Sequence, residues 1–133
     1  MTNLLISCLV PILLTPTTLT EYKQCRATEV KLYHVQEYQQ VVELYFQPQD
    51  VNKALLIIFC ESSGRRGITN TNKNGTTDKG IFQFNDLTWA WLQDKLKFKG
   101  DRFNVELSTR IASWLAYNDG FHHWNASKHC WDV

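Results

Sequence analysis

No stretch of this chain is long and apolar enough to read as a membrane-spanning helix. The largely apolar run from Leu4 to Leu14 is eleven residues, interrupted by Ser7, where a span needs about 20. Charge of one sign is also missing. Fourteen Lys and Arg stand against 13 Asp and Glu, for a net charge of +1, which excludes the strong basic field of a nucleic-acid or membrane-surface binder. The densest basic run, Lys95, Lys97, Lys99 and Arg102, reads as a solvated helix end. There is no glycine-rich phosphate loop, no internal repeat and no low-complexity tract. Cysteine is sparse, at positions 8, 25, 60 and 130, and none of these spacings matches a zinc site.

What is present, 133 residues in all, fits one compact domain once a short leader is set aside. Residues 1–20 combine the apolar run with a small polar tract, Thr15 to Thr20, broken by Pro16. The run has the length of a secretory signal core, but no Lys or Arg precedes Leu4 and no Ala-x-Ala site closes it. A retained anchor or a viral leader is the alternative. Residues 21–46 form an N-terminal helical segment, and residues 47–133 hold the functional domain. In an oxidising compartment Cys60 and Cys130 are the favoured disulfide pair, leaving Cys25 either free or joined to Cys8.

From about Thr28 to Phe46 the residues Val30, Tyr33, His34, Tyr38, Val41, Val42 and Tyr45 recur at steps of three and four, which predicts one amphipathic helix. Pro48 then suits a first helical turn, with Asp50 adding charge favourable to a helix start. The run Ala54 to Cys60 is apolar on nearly every side, so this second helix is expected at the centre of the core. It ends at Glu61, followed by Ser62-Ser63-Gly64, with Gly64 a good stop. A carboxyl at that junction is pressed toward its neutral form by burial and by the negative end of the helix dipole. A general acid needs that state.

Asn70, Asn72, Asn74 and Gly75 carry dense turn chemistry, predicting a small antiparallel hairpin with Asn74-Gly75 as its tight turn. Asp78 leaves that ribbon near solvent, where a carboxylate stays ionised. Beyond it, Asn85 or Asp86 can cap a helix through Trp89 and Leu92, and Asn104 can cap another ending at Gly120. The tail from Phe121 to Trp131 mixes aromatic and polar residues. Its Trp124 is a candidate for contact with a sugar face. Around His122, His123 and His129 no carboxylate or cysteine completes a convincing ligand set, so neither a metal nor a cofactor is expected.

Glu61-Ser62-Ser63, the Asn70-x-Asn72-x-Asn74-Gly75 turn, Thr77-Asp78-Lys79-Gly80-Ile81-Phe82-Gln83-Phe84-Asn85 and Asp119-Gly120 with Trp124 together resemble the lysozyme-like superfamily. The likeness spans roughly residues 47–131 and is nearest to transglycosylase domains of the soluble lytic type. Chicken-type lysozymes have a similar spacing between acid and aspartate, but this chain lacks most of their cysteine framework. Ala116-Tyr117-Asn118-Asp119-Gly120 looks like the Ala-Tyr-Asn-x-Gly motif of lytic transglycosylases, arriving sooner after the preceding helix than is usual.

The resemblance implies an α+β, mostly α-helical, lysozyme-like domain with a small β-hairpin beside the cleft. It implies cleavage of peptidoglycan glycan strands, with Glu61 as proton donor and Asp78 stabilising positive charge or acting as nucleophile. Ser62, Gln83, Asn85, Tyr117 and Trp124 are implied as substrate-binding residues. The implied location is secreted, periplasmic or at the cell wall, or in association with a virion or a secretion apparatus. A non-catalytic wall-binding protein on the same scaffold is the competing expectation.

Overall fold

A computed structural model describes Cys8 and residues 15–133. The protein is α+β and mostly helical. Its elements run α1 (Pro16–His34), a 3-10 turn (Gln36–Tyr38), α2 (Gln39–Tyr45), a 3-10 turn (Pro48–Asp50), α3 (Val51–Ser62), β1 (Thr69–Thr71), β2 (Thr77–Lys79), β3 (Phe84–Asn85), α4 (Asp86–Leu96), α5 (Val105–Asn118), a 3-10 segment (Phe121–Ser127) and α6 (Lys128–Trp131). No helix among the described residues is long and apolar enough to cross a membrane.

The chemistry of α1 starts inside the stretch that reads as a leader. Thr15 and Thr18 cap each other's backbone N–H, and Pro16 occupies the first turn, where its missing donor costs nothing. Cys8 is joined by a disulfide to Cys25 on this helix. The expected secretory signal otherwise falls on residues 1–7 and 9–14, outside the described residues.

The single helix expected over residues 28–46 is two helices, broken at Val35. The buried stripe keeps its phase across that break, at steps of three and four from Thr28 to Phe46. Leu32, Val35, Tyr38, Val42 and Phe46 are buried, whereas Val30 and Tyr33, expected to face the core, are 61% and 67% exposed. Tyrosine can satisfy either side of such a surface, so the three-four periodicity alone misplaces the inward face.

Helix α3 is the buried centre that its composition demands. Val51, Ala54, Leu55, Leu56, Ile57 and Ile58 are all buried, and the helix packs against α1, α2 and α6. A disulfide joins Cys60 to Cys130, 70 residues away, and a loop of that size restricts the unfolded chain by about 4 kcal/mol. The expected pairing is the one found.

The expected hairpin gains a third strand. β1 pairs antiparallel with β2, placing Asn70 opposite Asp78, and β2 pairs with β3, placing Asp78 opposite Asn85. Residues 72–76 close the β1–β2 connection, with Asn72 N–H donating to Thr76 O and Gly75 N–H to Asn72 O. The connection is therefore longer than a two-residue Asn-Gly turn.

A polar latch fixes this small sheet to the helices. Asp86, in the first turn of α4, accepts from Thr77 N–H at 2.7 Å and from the Thr77 hydroxyl at 2.9 Å. Arg102 approaches Asp86 at 2.7 Å and also donates to Thr77 O and Phe84 O. Next to the latch, Gly80 has φ +84, and a Cβ there would lie 2.3 Å from Arg102 O, so only glycine fits.

The Thr77 donors, with Arg102 beside them, hold the Asp86 carboxyl down at about 2 against an ordinary 3.8. A depressed folded-state pKa stabilises the protein above the unfolded value and is lost as pH falls through the folded one. Asp86→Asn should therefore lower the melting temperature near neutral pH and flatten its decline between about pH 4 and pH 2. Thermal melts across that range check it, and an acid decline as steep as the wild type's would contradict the latch.

Candidate active site

The site is built where α3 runs out. Glu61 is the penultimate residue of the helix, so its side chain leaves the apolar interior at the surface. Ser63 closes the helix in the left-handed conformation, φ 54, one residue earlier than the expected stop at Gly64. Ser62 does not reach the substrate side. It is 1% exposed, its hydroxyl donates to Ile58 O at 2.9 Å and accepts from Gly64 N–H at 3.2 Å. It seals the helix end, which corrects the expected substrate-binding role.

Facing Glu61 is the small sheet. Both acids line one cleft of about 170 Å³, together with Phe82, Gln83, Phe84, Asn85, Thr88, Leu115, His123, Trp124 and Ala126. Glu61 and Asp78 are both half-buried. Asp78 takes a hydrogen bond from Asn85 Nδ2 at 2.8 Å, an interaction set up by their opposite positions on β2 and β3. Asn85 also caps α4 by accepting from Leu87 N–H at 3.0 Å, so one side chain starts a helix and orients a cleft carboxylate.

Gln83 lines the cleft with its amide already engaged. Its oxygen accepts from Asn70 Nδ2 at 2.8 Å and its NH₂ donates to Gly80 O at 2.9 Å. The residue sits at φ 53, the left-handed region usually left to glycine. Trp124 is 4% exposed and its indole N–H donates to Phe82 O at 3.1 Å. It forms part of an aromatic wall with Phe82, Phe84 and Phe121, offering apolar surface rather than a free donor.

Tyr117 is not brought to the cleft. Its hydroxyl accepts from Gln47 N–H at 2.8 Å and donates to Asp50 at 2.7 Å, tying α5 to the entry of α3. The expected substrate contact is thus a brace between helices. Of the residues singled out from sequence, Glu61, Asp78, Gln83, Asn85 and Trp124 share the cleft, while Ser62 and Tyr117 lie outside it.

No protein-family model matches the chain, and no curated protein matches it.

The electrostatics of the cleft separate Glu61 from an ordinary surface carboxylate. Loss of water around it raises its pKa above the usual 4.5, the hydrogen bond from Ser127 works in the opposite direction, and the negative charge of Asp78 raises it further. Ser127 donates to Glu61 at 2.9 Å and also to Trp124 O at 3.2 Å. Sequence reasoning missed this residue. A signal existed, because Ser127 stands three positions before Cys130 while Glu61 follows Cys60, so the predicted disulfide brings the two together. His123 and Thr88 were also missed as cleft-lining residues, and no local pattern marks them.

A carboxyl whose folded-state pKa is raised contributes stability that is full below its unfolded value and lost as pH rises through the folded one. Glu61→Gln keeps an acceptor for Ser127 and removes that loss. The variant should melt higher than the wild type at about pH 7, with the gap closing at about pH 4. Paired melts measure this, and a variant less stable at neutral pH would speak against a sheltered acid.

Proposed function

We propose that this protein cleaves the β-1,4 bond between N-acetylmuramic acid and N-acetylglucosamine in peptidoglycan, as a lytic transglycosylase or muramidase on a lysozyme-like scaffold. The observation that carries this reading is the pairing of a desolvated acid, Glu61, with a second carboxylate, Asp78, across one cleft. Hydrolytic glycoside cleavage commonly uses two such groups in unlike environments.

Glu61 enters the reaction protonated and gives its proton to the bridging oxygen as the bond to the leaving sugar breaks. Positive charge then develops on the muramyl ring carbon and oxygen. Asp78, held by Asn85, lies on the opposite wall to stabilise that charge or to bond with the carbon. In the hydrolytic route water completes the product and its surplus proton returns to Glu61. In the transglycosylase route the Glu61 carboxylate takes a proton from the muramyl 6-hydroxyl, whose oxygen closes a 1,6-anhydro ring. The wall of Trp124, Phe82 and Phe84 keeps the acid dry.

The two disulfides accord with work in an oxidising compartment: outside the cell, in the periplasm, at the wall, or in a virion that breaches it. Peptidoglycan glycan strands are the proposed partner.

Digestion of purified peptidoglycan, with fragments identified by mass spectrometry, tests the proposal. Wild type should release muropeptides, and Glu61→Gln should lose about 10²- to 10⁴-fold in rate. Release no greater than that of the variant would leave a wall-binding protein without turnover. Asp78→Asn distinguishes the routes: near-total loss with reducing ends marks a two-carboxylate hydrolase, and substantial residual activity with anhydro ends marks a transglycosylase. Ser127→Ala removes the interaction that lowers the Glu61 pKa, so the alkaline limb of the pH–rate profile should move to higher pH. An unmoved limb would assign the proton donor elsewhere.

A further inference from the structure

The tail histidines have a carboxylate beside them at the end of the preceding helix. Asp119 caps α5, and the 3-10 segment that follows begins one residue later, after Gly120. Consecutive side chains on a 3-10 helix diverge by about 120°. Here His122 and His123 have ring centroids only 4.3 Å apart, and both turn back on Asp119. His123 Nε2 lies 2.5 Å from Asp119 Oδ2, and His122 Nε2 lies 3.6 Å from the same oxygen and 2.8 Å from the Asp119 backbone carbonyl. One ligand atom from each of the three residues falls within 4.8 Å of the others.

Gly120 makes the turn possible. It has φ +110, and a Cβ would lie 3.0 Å from His122 Cδ2, so glycine lets the first imidazole fold back over the helix end. All three side chains are partly exposed, at 48% for Asp119, 57% for His122 and 23% for His123, which leaves the open side to water.

We propose that Asp119, His122 and His123 form a binding site for a divalent transition-metal ion of the zinc class. Two imidazole nitrogens and one carboxylate oxygen are a donor set that suits zinc over magnesium or calcium, which favour all-oxygen sites. The 3.6 Å separation is close to the edge of a tetrahedron whose metal–ligand bonds are about 2.0–2.2 Å. The ion replaces the protons that now bridge the imidazoles to Asp119, so the His123 nitrogen and the carboxylate oxygen move apart to make room, and the His122 ring releases the carbonyl. Water fills the fourth position. Since His123 also lines the cleft beside Glu61 and Trp124, the ion sits at the cleft rim and fixes one wall residue. The site stands independently of the glycosidase reading.

Calorimetric titration of the full chain, free of any histidine tag and with disulfides intact, tests it with zinc, magnesium and calcium salts. One zinc per chain is expected at micromolar metal, with no magnesium or calcium binding. His122→Ala, His123→Ala and Asp119→Asn should each weaken zinc binding about tenfold or more, and His129→Ala should leave it unchanged. Zinc binding no tighter in wild type than in the His122→Ala/His123→Ala double variant would overturn the proposal. Should a variant fail to fold by circular dichroism, the histidine ring signals of wild type decide: shifts confined to His122 and His123 support the site, whereas shifts at His129, or none, defeat it.

Discussion

Burial of the apolar middle of α3, Ala54 to Ile58, is the constraint on which the rest depends. A helix apolar on nearly all sides must be enclosed, and α1, α2 and α6 do so. Enclosure leaves only its ends in contact with solvent, and the end carrying Glu61 meets the small sheet. The acid is therefore sheltered as a by-product of core formation. Its position is then held by the disulfide at Cys60 and by Ser127, which lies on the segment that the same disulfide anchors. Fold stability and acid environment share one piece of hardware.

On the opposite wall the logic is polar. Strands of two or three residues bury little surface, and a three-stranded sheet this small is marginal alone. Asp86, Thr77 and Arg102 bind it to α4 and to the segment before α5, while Asn85 links Asp78 to the start of α4. Glu61 thus stands at a helix end against apolar surface, and Asp78 within a hydrogen-bonded sheet. Unlike surroundings for two carboxylates follow directly.

What could be read from sequence was what local chemistry determines. The run Ala54 to Cys60 reads as a core helix, Asn72, Asn74 and Gly75 as the turn before Asp78, and Asn85 and Asn104 both cap the helices expected of them. Strand β3 escaped notice because two residues followed at once by a helix carry no periodicity. The inward face of the 28–46 region was misphased because Val30 and Tyr33 offer an apolar register at the same spacing as the buried Leu32 and Val35. Ser62 and Tyr117 matched motifs by type, but their hydroxyls were claimed by backbone and by a carboxylate 67 residues away. Contacts of that range leave no trace in neighbouring residues.

Gln83 has a practical consequence for anyone engineering this chain. A non-glycine residue in the left-handed region costs on the order of 1 kcal/mol, so a thermostabilisation scheme would nominate Gly or Asn at that site. Glycine would lose the amide that clamps Asn70 and Gly80, and asparagine is a methylene shorter. Either exchange trades a relaxed backbone for a slack cleft floor, so position 83 belongs among those to be left untouched.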